Sequence, residues 1–219
     1  MAVLHIQLLD GGRLSLDGEP VPGLHSARLQ SLLAYLVLNM GQPVPRRRLA
    51  FSFWPDSSEA QAQTNLRREL HHLRRALPDA ETFLASDAGS LQWRPDAPAH
   101  VDVVAFEAAV GRALQASQAS ETRAALHAFA EAVKLYHTDL LPDCYDDWIA
   151  PERERLRNLC VTALEGLTDA LEEQRAYREA IPHARRLLQF DALNEAAYRK
   201  LMRLHALHGD RAAALLTYR

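Results

Sequence analysis

The stretch 58–77, SEAQAQTNLRRELHHLRRAL, constrains the fold more than any other part of the chain. Leu66, Leu70, Leu73 and Leu77 recur at spacings of four, three and four, and at ~100° per residue they fall on one side of an α-helix. A helix with such a stripe has to bury it against a core. The opposite side carries Gln61, Thr64, Arg68, His71, His72 and Arg75, with Arg67 and Arg74 at one edge and Asn65 at the other. By type these are nucleic-acid ligands: Arg forks onto guanine, Asn and Gln onto adenine, and Thr meets a base edge or a thymine methyl. The competing reading is a solvated charged face, which is what most basic helix faces are.

The residues upstream favour the ligand reading. In FWPDSS, Pro55, Asp56 and Ser57 form turns, and Ser57 or Ser58 can cap the free amides of the helix start. Before them, Pro45-Arg46-Arg47-Arg48-Leu49-Ala50-Phe51 reads as a short helix with Pro45 in its first turn. Two helices joined by a tight turn, the second one basic, outline a helix-turn-helix.

Charge is distributed to match. The net charge of the 219 residues is −3, which excludes a generally basic nucleic-acid coat. Between Arg28 and Arg75, however, eight arginines (28, 46, 47, 48, 67, 68, 74, 75) stand against Asp56, Glu59 and Glu69, a local +5. Hydrophobic residues make up 48%, enough for one large or two small cores. Cys144 and Cys160 are the only cysteines. With no export signal at the start and no apolar run near the ~20 residues that span a bilayer, a reduced cytoplasm without membrane attachment is expected.

Along the chain, Val3–Leu9 alternates, Asp10-Gly11-Gly12 turns, Arg13–Leu16 alternates again, and Asp17-Gly18 signals a two-residue hairpin. Residues 19–24 contain two prolines, which limit them to an edge strand. A small antiparallel sheet should therefore open the fold. Ser26 can cap a helix over 27–39, ended by Gly41. After the two basic helices, Thr82–Ala85 and Ser90–Arg94 read as strands around Asp87-Ala88-Gly89. Arg94–Ala99, RPDAPA, marks a boundary, so the expected domains are residues 1–96, a winged helix with an N-terminal sheet, and residues 97–219, all helical. The fold class is mainly α with a small β part. Helices are expected over 101–115, 121–136, 148–173, 177–189, 194–208 and from 211 onward. A shift of 34 residues lays Ala163 on Ala197, Leu167 on Leu201, Ala180 on Ala214 and Ile181 on Leu215. That period is the tetratricopeptide one, and a plain helical bundle is its alternative.

Three segments, FWPDSSEAQAQTNLRRELHHLRRAL, SLQWRPDAPAHVDVVAFEAAV and LLPDCYDDWIAPERERLRN, together resemble the bacterial transcriptional activators of the Streptomyces antibiotic regulatory protein type. These join a response-regulator-type winged helix to a helical transcriptional activation domain. The resemblance implies a regulator that sits on repeated sites in double-stranded promoter DNA and contacts RNA polymerase holoenzyme through its helical half. By position, the helix 58–77 would enter the major groove, and the hairpin around Gly89, with Ser90, would be the wing approaching the minor groove. Arg46, Arg47 and Arg48 would approach phosphates. Asp147, Trp148 and Arg153 match a segment that links helices in the activation domain. Gly89-Ser90-Leu91-Gln92-Trp93 departs from the family's Gly-Tyr-x-Leu hairpin pattern, and the resemblance implies a helical domain that continues past Arg219.

No catalytic constellation assembles: GxxxxGK[ST], GxGxxG after a strand and GxSxG are all missing from the sequence. No cofactor or metal site is expected. Asp143, Asp146 and Asp147 read as cap and dipole partners of a helix start rather than as a cation site, and His137 with Cys144 and Cys160 lacks paired zinc spacing. His71 and His72 point ~100° apart, so groove contact suits them better than a metal. Trp54, Trp93 and Trp148 read as core anchors. The expectation is a non-enzymatic, sequence-specific regulator whose copies pair on adjacent half-sites. The alternative is a protein-interaction scaffold in which the winged helix is structural and the repeats bind partners.

Overall fold

A computed structural model of the chain describes residues 3–22 and 26–218. The backbone divides into two compact units, Met1–Asp102 with Thr138–Arg153, and Val103–His137 with Glu154–Arg219.

The first unit opens with the antiparallel strands β1 (Leu4–Gln7), β2 (Arg13–Leu16) and β3 (Glu19–Pro20). Leu4 and Ile6 are buried while His5 and Gln7 are exposed, the alternation expected of a half-buried strand. Asp17 and Gly18 both take positive φ, 49° and 93°, as the primed hairpin turn requires. Pro20 keeps β3 at the sheet edge; Leu24, at the end of the expected edge strand, lies outside the described residues.

Helix α1 (Ala27–Leu38) buries Leu29, Leu32, Leu33, Leu36 and Val37. Its cap residue Ser26 makes no side-chain cap bond, contrary to expectation. Strand β4 (Val44–Pro45) and helices α2 (Arg46–Phe53) and α3 (Glu59–Ala76) follow. Pro45 therefore sits at the cap of α2 and within a strand, not in the first helical turn. A short helix α4 (Ala80–Phe83) occupies residues that alternation assigned to a strand, and the hairpin of β5 (Leu84–Ser86) and β6 (Ser90–Trp93) starts two residues later than expected. The second sheet runs β4-β6-β5, and Leu91 and Trp93 of its central strand are fully buried. Three helices and this hairpin make the winged helix.

Two further segments complete the unit. Strand β7 (Ala99–Val101) pairs parallel with β1, Leu4 opposite Ala99 and Ile6 opposite Val101. The RPDAPA stretch thus leads into the N-terminal sheet rather than directly into helices. Asp102 then accepts the N–H groups of Leu8 and Leu9 at 2.9 and 2.8 Å. From 138 the chain returns as a strap. Thr138 and Leu141 donate their N–H groups to Leu9 and Leu8, and Asp146 takes Arg28 at 2.6 Å and the Ser31 hydroxyl. Trp148 lies edge-on to Tyr35 at 5.1 Å and donates its indole N–H to Ser31. Arg153 donates to the carbonyls of Leu140, Leu141 and Cys144, closing the loop on itself.

The remaining helices are α5 (Asp102–Gln118), α6 (Thr122–Leu135), α7 (Ile149–Glu173), α8 (Tyr177–Phe190), α9 (Glu195–Leu207) and α10 (Arg211–Tyr218), and the second unit takes α5 from Val103 and α7 from Glu154. Helix α8 packs on α9, and α9 on α10. The 34-residue correspondence holds in burial for Ala163 with Ala197 and Leu167 with Leu201, but Ala214 is half-buried and Leu215 exposed where Ala180 and Ile181 are buried. Gly166 of α7 faces the Phe129 ring of α6 closely enough that a Cβ would overlap it. Among the described residues no helix is long and apolar enough to cross a membrane.

Candidate nucleic-acid interface

Helix α3 is held by its leucines. Ala62, Leu66, Leu70 and Leu73 are buried along one side, and Ser58 caps its start by accepting the Gln61 N–H at 3.3 Å. That anchoring turns Gln61, Thr64, Arg67, Arg68, His71, His72, Arg74 and Arg75 outward, all exposed, with Asn65 half-buried. The polar residues of the first turns are pre-arranged: Gln61 donates its amide N–H to Asn65 at 3.0 Å, and the Thr64 hydroxyl bonds back to the Ala60 carbonyl. Arg68 lies 3.6 Å from Glu69.

Arg46, Arg47 and Arg48 occupy the first turn of α2, and they separate by role. Arg46 fixes the hairpin to α2. Its backbone N–H donates to Gly89, and its guanidinium to the Asp87 carbonyl at 3.2 Å and the Ser86 hydroxyl at 2.7 Å. Arg47 pairs with Glu59 at 3.1 Å. Arg48 is exposed. The hairpin tip is rigidified from within, because the Asp87 carboxylate accepts the N–H groups of Gly89 and Ser90 and the Ser90 hydroxyl. Those bonds hold the Asp87 carboxyl below the usual carboxylate range, with Arg46 adding to the effect. Ser90 thereby spends its hydroxyl on Asp87.

Two clefts flank α3. One, of about 440 Å³, is lined by Arg46, Arg47, Gln63, Leu66, Arg67 and the Ala88-Gly89 tip. The other, of about 460 Å³, lies between the start of α1 and the last turns of α3 and includes His72 and Arg75. The sequence pattern located the outer face of α3 but missed Gln63 and Glu59, whose place beside the wing depends on a hairpin that returns from some 25–30 residues further along the chain. Arg28 is not part of this surface: it pairs with Asp146 and lies 5.9 and 5.7 Å from the ring centroids of Phe53 and Trp54.

Residues 101–219 match the family described as the bacterial transcriptional activator domain. The chain belongs to this family. None of the curated proteins compared with it matches. Among solved structures the chain is similar to that described as Mycobacterium tuberculosis EmbR in complex with low affinity phosphopeptide, at 22% identity and a TM-score of 0.83, over 100% of this chain and 59% of the other. The chain thus spans well under two thirds of that protein, and at this identity the likeness establishes the fold. A winged helix beside a bacterial transcriptional activator domain is the architecture of the Streptomyces antibiotic regulatory protein type that the sequence resembles. The activator-domain match begins within β7, so its first residues and the strap belong structurally to the winged-helix unit. Trp148 and Arg153, expected to link helices of the activator domain, make these contacts inside the winged-helix unit instead, and Asp147 is exposed.

Proposed function

We propose that this chain is a sequence-specific double-stranded DNA-binding regulator that activates transcription and contacts RNA polymerase holoenzyme through its helical domain. The observation that carries the reading is the outward face of α3, where eight exposed polar and cationic side chains stand on a helix anchored by a buried leucine stripe. Gln61, Thr64, Asn65, Arg68 and Arg75 read or face bases, with His71 and His72 beside them. Arg46, Arg47, Arg48, Arg67 and Arg74 meet phosphates, and the tip around Ser90 approaches the minor groove. Two copies bind adjacent half-sites, since one winged helix covers only a short site. DNA binding is assigned to residues 1–96, whose unit is closed by residues 97–102 and the 138–153 strap, and activation to the helices of 97–219, in a protein that acts in the cytoplasm without a catalytic activity.

The test is selection of bound fragments from the source genome, followed by mobility shifts at about 50 and 200 mM salt, the range over which phosphate-bound complexes weaken steeply. A recovered repeated motif that survives nonspecific competitor is the expected result. Recovery of nothing above random DNA would overturn it and turn attention to protein partners of the helical repeats.

A further inference from the structure

Glu59 is an acid at the start of a helix whose outer face is otherwise polar and cationic, and its carboxylate is held by two of the groups that line the wing cleft. Its Oε1 lies 3.1 Å from Arg47 Nε as an ion pair and accepts the Gln63 amide N–H at 3.4 Å. The other cationic walls of that cleft are already tied down: Arg46 is bonded to the hairpin, and Arg67 Nε donates to the Gln63 carbonyl at 3.3 Å. The cleft therefore has a fixed frame, closed on one side by the Ala88-Gly89 tip. Two of its lining side chains, Arg47 and Gln63, are engaged by an internal anion.

We propose that this cleft seats one phosphodiester of the DNA backbone and that Glu59 is its internal stand-in, the anion that occupies Arg47 and Gln63 until a phosphate replaces it. The proposal rests on the DNA-binding reading above. Both partners of the Arg47–Glu59 pair are more than half exposed, so the pair is weak enough to open in water. A phosphodiester can present both of its unbridged oxygens to the guanidinium fork, whereas Glu59 meets Arg47 at Nε through Oε1. Entry of DNA exchanges one anion for another, so the Arg47 contact contributes little net affinity while Glu59 is ionised. Removal of the Glu59 charge exposes its full strength.

The test is equilibrium binding of the full chain and its Glu59→Gln, Arg47→Ala and doubly substituted variants to one selected promoter fragment across a salt series. Glu59→Gln keeps a side chain of the same size at an exposed position, and melting curves check that each variant is folded. The expected result is about three- to fivefold tighter binding for Glu59→Gln, with a log–log salt slope steeper by about 0.9, and almost no gain from the same substitution when Arg47 is Ala. An equal gain with and without Arg47 would overturn the proposal, since Glu59 would then act only through its long-range charge. So would no gain at all. Inorganic phosphate at matched ionic strength should leave the ratio of wild-type to Arg47→Ala affinity unchanged; collapse of that ratio would reassign the seat to a free anion. Wild-type protein that retains no DNA would instead remove the DNA-binding reading itself.

Discussion

Arg68 and Arg48 are both exposed arginines of the winged-helix unit, yet they stand on different surfaces and should fail differently when truncated. Arg68 lies mid-face on α3, so Arg68→Ala should cost about 1–3 kcal/mol on the preferred sequence and flatten the preference at one base position. Arg48, at the first turn of α2, should weaken binding to all sequences alike and reduce the salt slope by about 1. Competition assays on single-base variants of the selected site separate the two, and an unchanged preference after Arg68→Ala would remove that residue from the readout. Asp87 makes a pH prediction at the same scale. Its folded pKa is lowered, chiefly by the Gly89 and Ser90 bonds, so its contribution to the wing is fully present above the unfolded value and lost only as pH falls through the folded one. The Gly89 and Ser90 amide resonances should therefore shift with a midpoint below that of an unperturbed aspartate. Asp87→Asn should loosen the tip at every pH.

Individual elements were legible in proportion to their length and periodicity. The spacing Leu66, Leu70, Leu73 predicts α3 to within a residue at each end, and Arg13–Leu16 is found as a strand with the expected bounds. Strands β4 and β7 have two and three residues, too few for any alternation to register, and β7 is defined by a partner more than ninety residues earlier in the chain. The strap is hidden for the same reason: nothing near Asp146 in sequence announces Arg28 and Ser31, 118 and 115 residues away. In the helical unit the close approach of α7 and α6 is carried by Gly166, and alanine there should destabilise by about 1–3 kcal/mol through overlap with Phe129, although alanine is favoured by about 1 kcal/mol in an open helix. A calorimetric gain in stability would contradict that packing. The α8–α9 contact contains His205, buried, with Nε2 facing Arg185 at 3.4 Å and Nδ1 without a partner among the described residues. Burial, then the Arg185 charge, lowers its pKa. Its contribution is present above the unfolded value and is lost as pH falls through the folded one. His205→Leu should thus gain stability relative to the wild type as pH is lowered from about 7.5 to 5.5, the range in which histidine titrates. Parallel melting curves for the two proteins would contradict this.

At the scale of the whole molecule, the winged-helix unit is discontinuous in sequence. A fragment ending at residue 96 lacks β7, the Asp102 carboxylate that accepts Leu8 and Leu9, and the strap that holds Arg28, Ser31 and Tyr35. It should melt well below the full chain and show reduced protection of amides in β1 and α1 by hydrogen exchange; equal protection in the two would mean that the strap is dispensable. The same discontinuity bears on synthesis. A ribosome that has reached Asp102 has made nearly the entire unit, but its closing piece ends at Arg153, 51 residues further on, about 3–10 s later at ordinary elongation rates. The α5–α6 hairpin is translated in that interval. A nascent chain therefore cannot finish its winged-helix unit ahead of the rest: translation itself withholds the closing strap until two helices of the second unit exist.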